Sequence, residues 1–385
     1  MRIEDVRITA IDRGRVEVSA TCEGRPLHYR LPAKDLSRQS IGDALVASAL
    51  APAMRAGSSL VLPDDVPVSS LLAAQLDGIQ RVYMGWNAGL KQVRLDAVLY
   101  EPTPSNGPVG LFYAGGIDSS FSLLTHLEEV DLLIIVFGFD HTMSESEIAA
   151  SLERNARFAE CLGKDLVAVE TNHSRFVAEL GVSRTFVFGA TLASIAMLLG
   201  VRRCYIASSH SAGNVIPEGS NPILDYRFSN GVTEIIHDDV SVTRLGKTWA
   251  VAREPSFLKN LHVCWEFPDR NCGTCSKCVR TMTALRLCGA TGPFPPLTDV
   301  RRIADMAARS EVEYIVSMLL AARAGGDHEV ERELRRGLRK HDWHEALRFL
   351  DRALAGGALR RFRRRRRDTE IGLVKVELRP DLDLQ

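Results

Sequence analysis

The chain lacks a charge bias. Its 48 lysines and arginines balance 48 aspartates and glutamates, so net charge gives no reason to expect a nucleic-acid partner. It lacks a long hydrophobic run as well. The most apolar stretch, 185–201, falls about a turn short of a membrane span and is broken by Gly189, Thr191 and Ser194. Charges at Arg2, Glu4 and Asp5 stand where an export signal needs an apolar core. No internal repeat or low-complexity tract is present, which argues against a solenoid or a fibre. Common nucleotide signatures are missing too. No Gly-x-Gly-x-x-Gly follows a strand, and Gly246-Lys247-Thr248 only imitates the end of a P-loop, because Ser241 stands where the first glycine belongs. Cysteines outside one cluster are scattered: Cys22, Cys161, Cys204 and Cys288 read as small apolar fillers.

What is present falls into three parts. The 385 residues suffice for two domains and a sizeable core. Residues 1–104 alternate apolar and polar in short runs, as at 6–11 and 15–20, and read as a β-rich N-terminal domain. Within it, Ile41 to Leu50 reads as a helix capped by Ser40 and stopped near Pro52. The turn-rich segment 102–108 marks a boundary. Residues 105–292 then alternate strand and helix. Strands are expected at 109–113, 131–137, 166–170 and 204–207, and helices at 117–128, 144–162 and 185–199. Ser144 and Glu147 have capping-box spacing, and Gly163 is a stop. This pattern predicts an α/β fold with a doubly wound parallel sheet, whose ligands bind beyond the C-terminal strand ends. Residues 293–385 read as helical, with the arginine run Arg363–Arg367 as a solvated basic tail or an anion-binding segment.

Four cysteines form the strongest local pattern: Cys264, Cys272, Cys275 and Cys278. Three thiols at two-residue gaps, with a fourth upstream, can close a tetrahedral S4 shell that suits Zn2+. Such a shell leaves no position for a catalytic water. An iron–sulfur cluster remains an alternative, although the further cysteine and proline of the ferredoxin run are missing. A thiolate cluster without an export signal points to a reducing cytoplasm.

Upstream lies Tyr113-Ala114-Gly115-Gly116-Ile117-Asp118-Ser119-Ser120. A strand entering a Gly-Gly turn and then a helix presents several backbone N–H groups and the positive helix end to an anion. The glycines let a phosphate approach closely. Ser119 and Ser120 can donate to its oxygens, and Asp118 can cap the turn or hold Mg2+. The string resembles the Ser-Gly-Gly-x-Asp-Ser loop of the N-type ATP pyrophosphatases, the PP-loop superfamily. The order of loop first and cysteine cluster later resembles the 7-cyano-7-deazaguanine synthase branch. The likeness covers roughly residues 108–290. Two features depart from it: Ala114 replaces the first serine, and 209–225 does not match the branch's substrate loop.

The resemblance implies a PP-loop fold and an ATP-dependent ligase that attaches AMP to a carboxylate or amide carbonyl, releases pyrophosphate, and passes the carbonyl to ammonia or an amine. It implies that ATP and Mg2+ bind along Tyr113 to Ser120, with adenine and ribose near Phe139 and Asp140. Thr171 and Asn172, at the third strand end, would complete the nucleotide site. Asp118, Ser119, Arg280 and His210 are the candidate catalytic residues, with Asn214 facing the phosphates and Asp225 and Arg227 contacting substrate or metal. Lys247 and Arg253 could neutralise phosphate or form surface ion pairs. The expected partner is a small-molecule substrate, with a homodimer left open. Alternatives are sulfur transfer through Cys161, Cys204 or Cys288, adenylation-assisted epimerisation, and a nucleotide-binding regulatory module.

Overall fold

The computed structural model describes residues 1–12, 14–33, 36–138, 143–267, 269–308 and 310–355. The chain opens with three antiparallel strands, β1 (Ile3–Ala10), β2 (Arg15–Cys22) and β3 (Arg25–Pro32). Leu27, Tyr29 and Leu31 alternate along β3 and point into one core, as period two requires. β1 carries an irregularity between Glu4 and Arg7, where Asp5 adopts a φ of 51°.

The helix α1 (Arg38–Ala56) is longer than expected. Ser37, not Ser40, caps it, accepting from Ser40 N at 3.0 Å. Pro52 lies inside the helix, which ends only at Gly57. Residues 41–54 are buried throughout, so packing carries the helix past a residue that would stop an exposed one. Two small parallel pairs follow, β4 (Leu60–Val61) and β5 (Val68–Ser69), around α2 (Ser70–Trp86), with β6 (Leu95–Asp96) and β7 (Leu99–Tyr100) as their partners.

Beyond the 102–108 turn come β8 (Val109–Phe112), α3 (Ile117–Thr125), β9 (Leu132–Phe137), α4 (Glu145–Cys161), β10 (Asp165–Thr171), α5 (His173–Glu179), α6 (Phe188–Leu199), β11 (Arg203–Ala207) and β12 (Glu234–Asp238). The capping box at Ser144 and Glu147 forms as expected. The remaining helices are α7 (Arg244–Ala252), α8 (Pro255–Asn260), α9 (Ser276–Leu287), α10 (Arg301–Ala307), α11 (Val312–Ala324) and α12 (His328–Ala355). Among the described residues no helix is long and apolar enough to cross a membrane.

One eight-stranded sheet organises the molecule, in the order β1-β2-β3-β10-β9-β8-β11-β12. The last five strands of that order run parallel to one another. The N-terminal strands do not form a sheet of their own. β3 pairs antiparallel with β10, Glu170 opposite Arg30 and Thr171 opposite Tyr29. That pairing satisfies backbone groups that β10 would otherwise leave open.

Helices cover both faces, and strand alternation explains how. Leu132, Ile134, Cys204 and Ile206 face a core that includes α1 and α6 residues. Leu133 and Tyr205 face the opposite core, with α3, α7 and α9. A third cluster joins α9 to α10, α11 and α12 through Val279, Ile303, Ile315 and Leu334. The result is a mixed α/β structure with its C-terminal helices set against one side of the sheet layer. From β8 the chain proceeds to β9 and β10 on one side, then returns to β11 and β12 on the other. The C-terminal end of β8 is therefore a topological switch point, the place where such sheets leave a crevice.

Candidate functional site

The glycine turn occupies that switch point. Gly115 has a φ of 81°, a conformation that favours glycine, and an added Cβ would lie 3.2 Å from Asn260 O. The turn is fixed from beneath. His262 N–H donates to Gly115 O at 2.8 Å. Asn260 Nδ2 donates to the Tyr113 hydroxyl at 3.1 Å. Tyr113 itself is buried and stacks on Phe158, so it is a floor residue. Gly116 caps α3 without a side-chain bond, and the first helical bond runs from Ser120 N to Gly116 O. The amides of residues 117–119 precede that bond and have no acceptor within the helix. Ala114 is exposed, while Gly116, Asp118 and Ser119 are half-buried. Ile117 and Ser120 point inward.

Cations gather around this helix end. Arg244, at the start of α7, pairs with Asp118 at 2.5 Å. Lys247 is buried one turn later and donates to Ser208 O at 2.8 Å. Burial pulls its ammonium below the ordinary range, opposed by Asp118, Asp239 and Asp238. Arg280, from the first turns of α9, lies 5.0 Å from the centroid of the Tyr314 ring, and Arg244 lies 6.0 Å from the same ring. Burial, then the charge of Arg244, brings Arg280 down to about 10. Two orphaned atoms accompany this crowding: Asp118 Oδ1 and Arg280 Nε are buried without a hydrogen-bond partner among the described residues. Like charges held together in a half-buried site attract an anion, and a free carboxylate oxygen beside them suits a divalent ion.

The start of α11 clasps the loop after β11. Tyr314 OH donates to Ser209 O, Ser211 Oγ to Glu313, and Asn214 Nδ2 to Glu311. His210 sits between two carboxylates, with Nε2 3.0 Å from Glu218 and Nδ1 3.0 Å from Glu311. The hydrogen bond to Glu218, then the Glu311 carboxylate beside Nδ1, raises its pKa to about 9. That value keeps the ring charged between its two carboxylates at neutral pH. Burial pulls Glu311 up, but His210, Asn214 and Arg280 outweigh it and hold it below its ordinary value.

The four cysteines converge. Their Sγ atoms all lie within 4.8 Å of one another, with Cys264 and Cys275 4.0 Å apart and Cys272 and Cys278 3.9 Å apart. A tetrahedron of Zn–S bonds of about 2.3 Å has edges of about 3.8 Å, so the four can hold a metal ion such as zinc. An iron–sulfide cube would need its thiolates farther apart. Burial pushes the Cys272 thiol up, but the Thr274 hydroxyl and the amides of Cys275 and Thr274 bring it to about 6. Such N–H···S contacts favour thiolate.

Other candidates lie elsewhere. Thr171 Oγ1 donates to His28 O, and the Asn172 amide brackets Pro26 and His28. Both side chains are given over to holding β3. Asp225 is buried against His237 at 2.8 Å and Ser220 at 2.9 Å. Arg227 reaches Gln75 on α2, and Arg253 lies over Trp249. Gly246-Lys247-Thr248 is helical, within α7. Among the cysteines proposed for sulfur transfer, Cys204 is buried, Cys288 is half-buried with its thiol pushed up to about 11 by burial, and Cys161 is exposed. Phe139, Asp140 and Arg363–Arg367 lie outside the described residues.

Sequence reasoning missed Arg244, Glu311 and Tyr314. Arg244 had a signal, because it precedes Lys247 by three positions and shares its helix face. Glu311 and Tyr314 had none, since only the tertiary fold brings α11 to the sheet. The chain matches no protein-family model, no curated protein and no solved structure with which it was compared.

Proposed function

We propose that this chain splits ATP between its α and β phosphates and transfers AMP to a carbonyl oxygen of a small metabolite, as the PP-loop likeness of residues 113–120 implies. The observation that carries the reading is the uncapped Gly115-Gly116 turn at the switch point, with Arg244, Lys247 and Arg280 gathered round Asp118. The amides of 117–119 and the Ser119 hydroxyl would cradle the departing pyrophosphate. Arg244 and Arg280 would balance charge that builds up on it. Asp118 would hold Mg2+ through Oδ1, and the ion would supply positive charge beside the pyrophosphate as it leaves.

A substrate oxygen attacks the α-phosphorus and forms a P–O bond while the α–β bridging bond breaks, its electron pair leaving with pyrophosphate. Ammonia or an amine then attacks the activated carbonyl carbon. The C–O bond to AMP breaks, AMP keeps the pair, and the nitrogen loses its proton to solvent. In this reading the cysteine cluster holds zinc as a staple and takes no part in either step.

The test is AMP and pyrophosphate release by the zinc-loaded protein over a panel of acids and amides. Release should depend on the substrate and stop in Asp118→Ala. Turnover in that variant at the wild-type rate would remove the reading. Tight ATP binding with no AMP formed over the whole panel would instead mark a nucleotide-binding regulatory module.

A further inference from the structure

In the N-terminal part, α2 and the extended segment 93–99 leave a groove of about 680 Å3 that opens to solvent, with Leu76, Asp77 and Gln80 on the helix side and Val93, Leu95 and Ala97 on the other. Val93 N–H donates to Gln80 Oε1 at 2.7 Å and Gln92 Nε2 to Asp77 at 3.0 Å, closing one end. Leu60 N donates to Arg94 O at 2.8 Å and Leu62 N to Asp96 O at 3.0 Å. These bonds turn the main-chain groups of Arg94 and Asp96 toward β4, so alternation turns those of Leu95 and Ala97 toward the groove. Among the described residues β6 pairs only with β4, and β7 only with β5. The groove edge is therefore open to a further strand. Small-molecule sites gather convergent polar side chains; this one offers a row of main-chain groups at strand spacing. On the outer face of the segment Arg94 and Asp96 are exposed, and neither has an ion-pair partner among the described residues.

The chain itself carries a sequence that complements this edge. Leu373-Val-Lys-Val-Glu-Leu378 lies outside the described residues. Val374, Val376 and Leu378 alternate with Lys375 and Glu377, a period-two pattern unlike the helical reading of the rest of the C-terminal part, and Pro380 bounds it. An antiparallel register with Val376 opposite Leu95 sets Lys375 against Asp96 and Glu377 against Arg94. It also turns Val374, Val376 and Leu378 toward α2. A parallel register about the same pair sets Lys375 against Arg94 and Glu377 against Asp96, like charge against like, which is unfavourable. We propose that residues 373–378 dock antiparallel along the edge of Leu95 and Ala97 in the same molecule, closing the groove with a strand from the far end of the sequence. Residues 356–372 join the end of α12 to Leu373 and reach roughly 55 Å when extended, about the width of a compact chain of this length. A segment tethered in this way has an effective concentration on the order of millimolar, which favours its own groove over that of a second copy. The arginine run Arg363–Arg367 would then be anchored on both sides, by α12 and by the groove. None of this depends on the adenylation reading.

The experiment uses the full chain and measures hydrogen exchange at 93–99 and 371–380. Both segments should be protected in the wild type. Val376→Pro removes a strand N–H and should speed exchange at 93–99 at least tenfold, while the central strands at 109–137 exchange as before, which excludes a general loss of folding. Asp96→Lys should speed exchange at 371–380, and adding Lys375→Asp should restore protection. A second measurement fixes the register. Asp96→Cys combined with Lys375→Cys should form a disulfide on mild oxidation, mapped by mass spectrometry within one molecule, whereas Asp96→Cys with Leu378→Cys should not. Unchanged exchange at 93–99 in Val376→Pro would overturn the proposal and leave the groove to a strand of another protein. No recovery in the charge-swapped pair would overturn the register. A 96–375 link that joins two molecules would overturn docking within one chain and assign the strand to a second copy.

Discussion

His262 donates its backbone N–H to the carbonyl of Gly115 at 2.8 Å. Two residues later the chain reaches Cys264, the first thiol of the cysteine cluster. The glycine turn and the cluster are therefore joined by a hydrogen bond and a short piece of backbone.

From that linkage we expect the metal to stiffen the turn at a distance. Elemental analysis should find one zinc per chain. Removing it with a strong chelator should raise hydrogen exchange at residues 113–120 as well as at 260–278, because the metal's binding free energy is also folding free energy. Cys278→Ser should reproduce the effect without chelator. Protection at 113–120 that persists after the metal is gone would contradict the linkage.

Gly115→Ala should destabilise the chain by about 1–2 kcal/mol, the cost of forcing an L-residue into the left-handed region. The new Cβ would also press on Asn260 O, 3.2 Å away. Thermal melting should show the loss, and affinity for a nucleotide should fall with it. A melting point equal to that of the wild type would show that the turn can relax freely.

His210 predicts a transition on the alkaline side. Its folded pKa of about 9 lies above the ordinary value of 6.5. The stabilisation it provides is fully present below about pH 6.5 and is lost as pH rises through 9. Exchange in the 208–214 loop and in the first turn of α11 should therefore increase between pH 8 and about 10. His210→Gln should remove that step, and a step retained in the variant would assign it to another group.

His173 predicts the opposite, on the acid side. It is buried, bonded to Thr191 Oγ1 at 2.8 Å and to Ser48 O at 3.2 Å. Burial depresses its pKa from 6.5 to about 4. Stability from the neutral ring is complete above about pH 6.5 and is lost as pH falls toward 4, about 3 kcal/mol in all. Denaturant midpoints measured from pH 7 to 4 should decline, and less so in His173→Gln.

Much of the central fold was legible because its elements carry their own local signals. The capping box at Ser144, the stop at Gly163 and the apolar run of β9 each fix a boundary without help from distant residues. Elements set by tertiary packing were harder to read. Pro52 looked like a stop, but burial on all sides keeps α1 helical there. β12, Glu-Ile-Ile-His-Asp, lacks the period-two pattern of a strand and becomes one because β11 offers it an edge. The pairing of β3 with β10 could not be seen in either strand alone.

The site divides in the same way. The glycine turn and the four cysteines are contiguous motifs whose spacing states their geometry, and the structure brings the four thiols together. Arg280 was found because it follows Cys278 by two positions. Thr171 and Asn172 were read as ligand groups from their position at a strand end, yet the N-terminal hairpin claims their side chains. Tyr314 and Glu311 meet the loop after β11 only once α11 has packed, so their place beside the site had no trace in the sequence.

The kink in β1 has a consequence for how copies of this molecule behave in a crowded solution. β1 forms one rim of the sheet, and at Asp5 its backbone leaves the regular extended path. Around the kink the strand shows charged side chains, Glu4, Asp5 and Arg7, to solvent. The opposite rim, β12, is only five residues long. Neither rim offers a stray polypeptide a long, flat, greasy template, so the sheet discourages the edge-to-edge growth that begins aggregation.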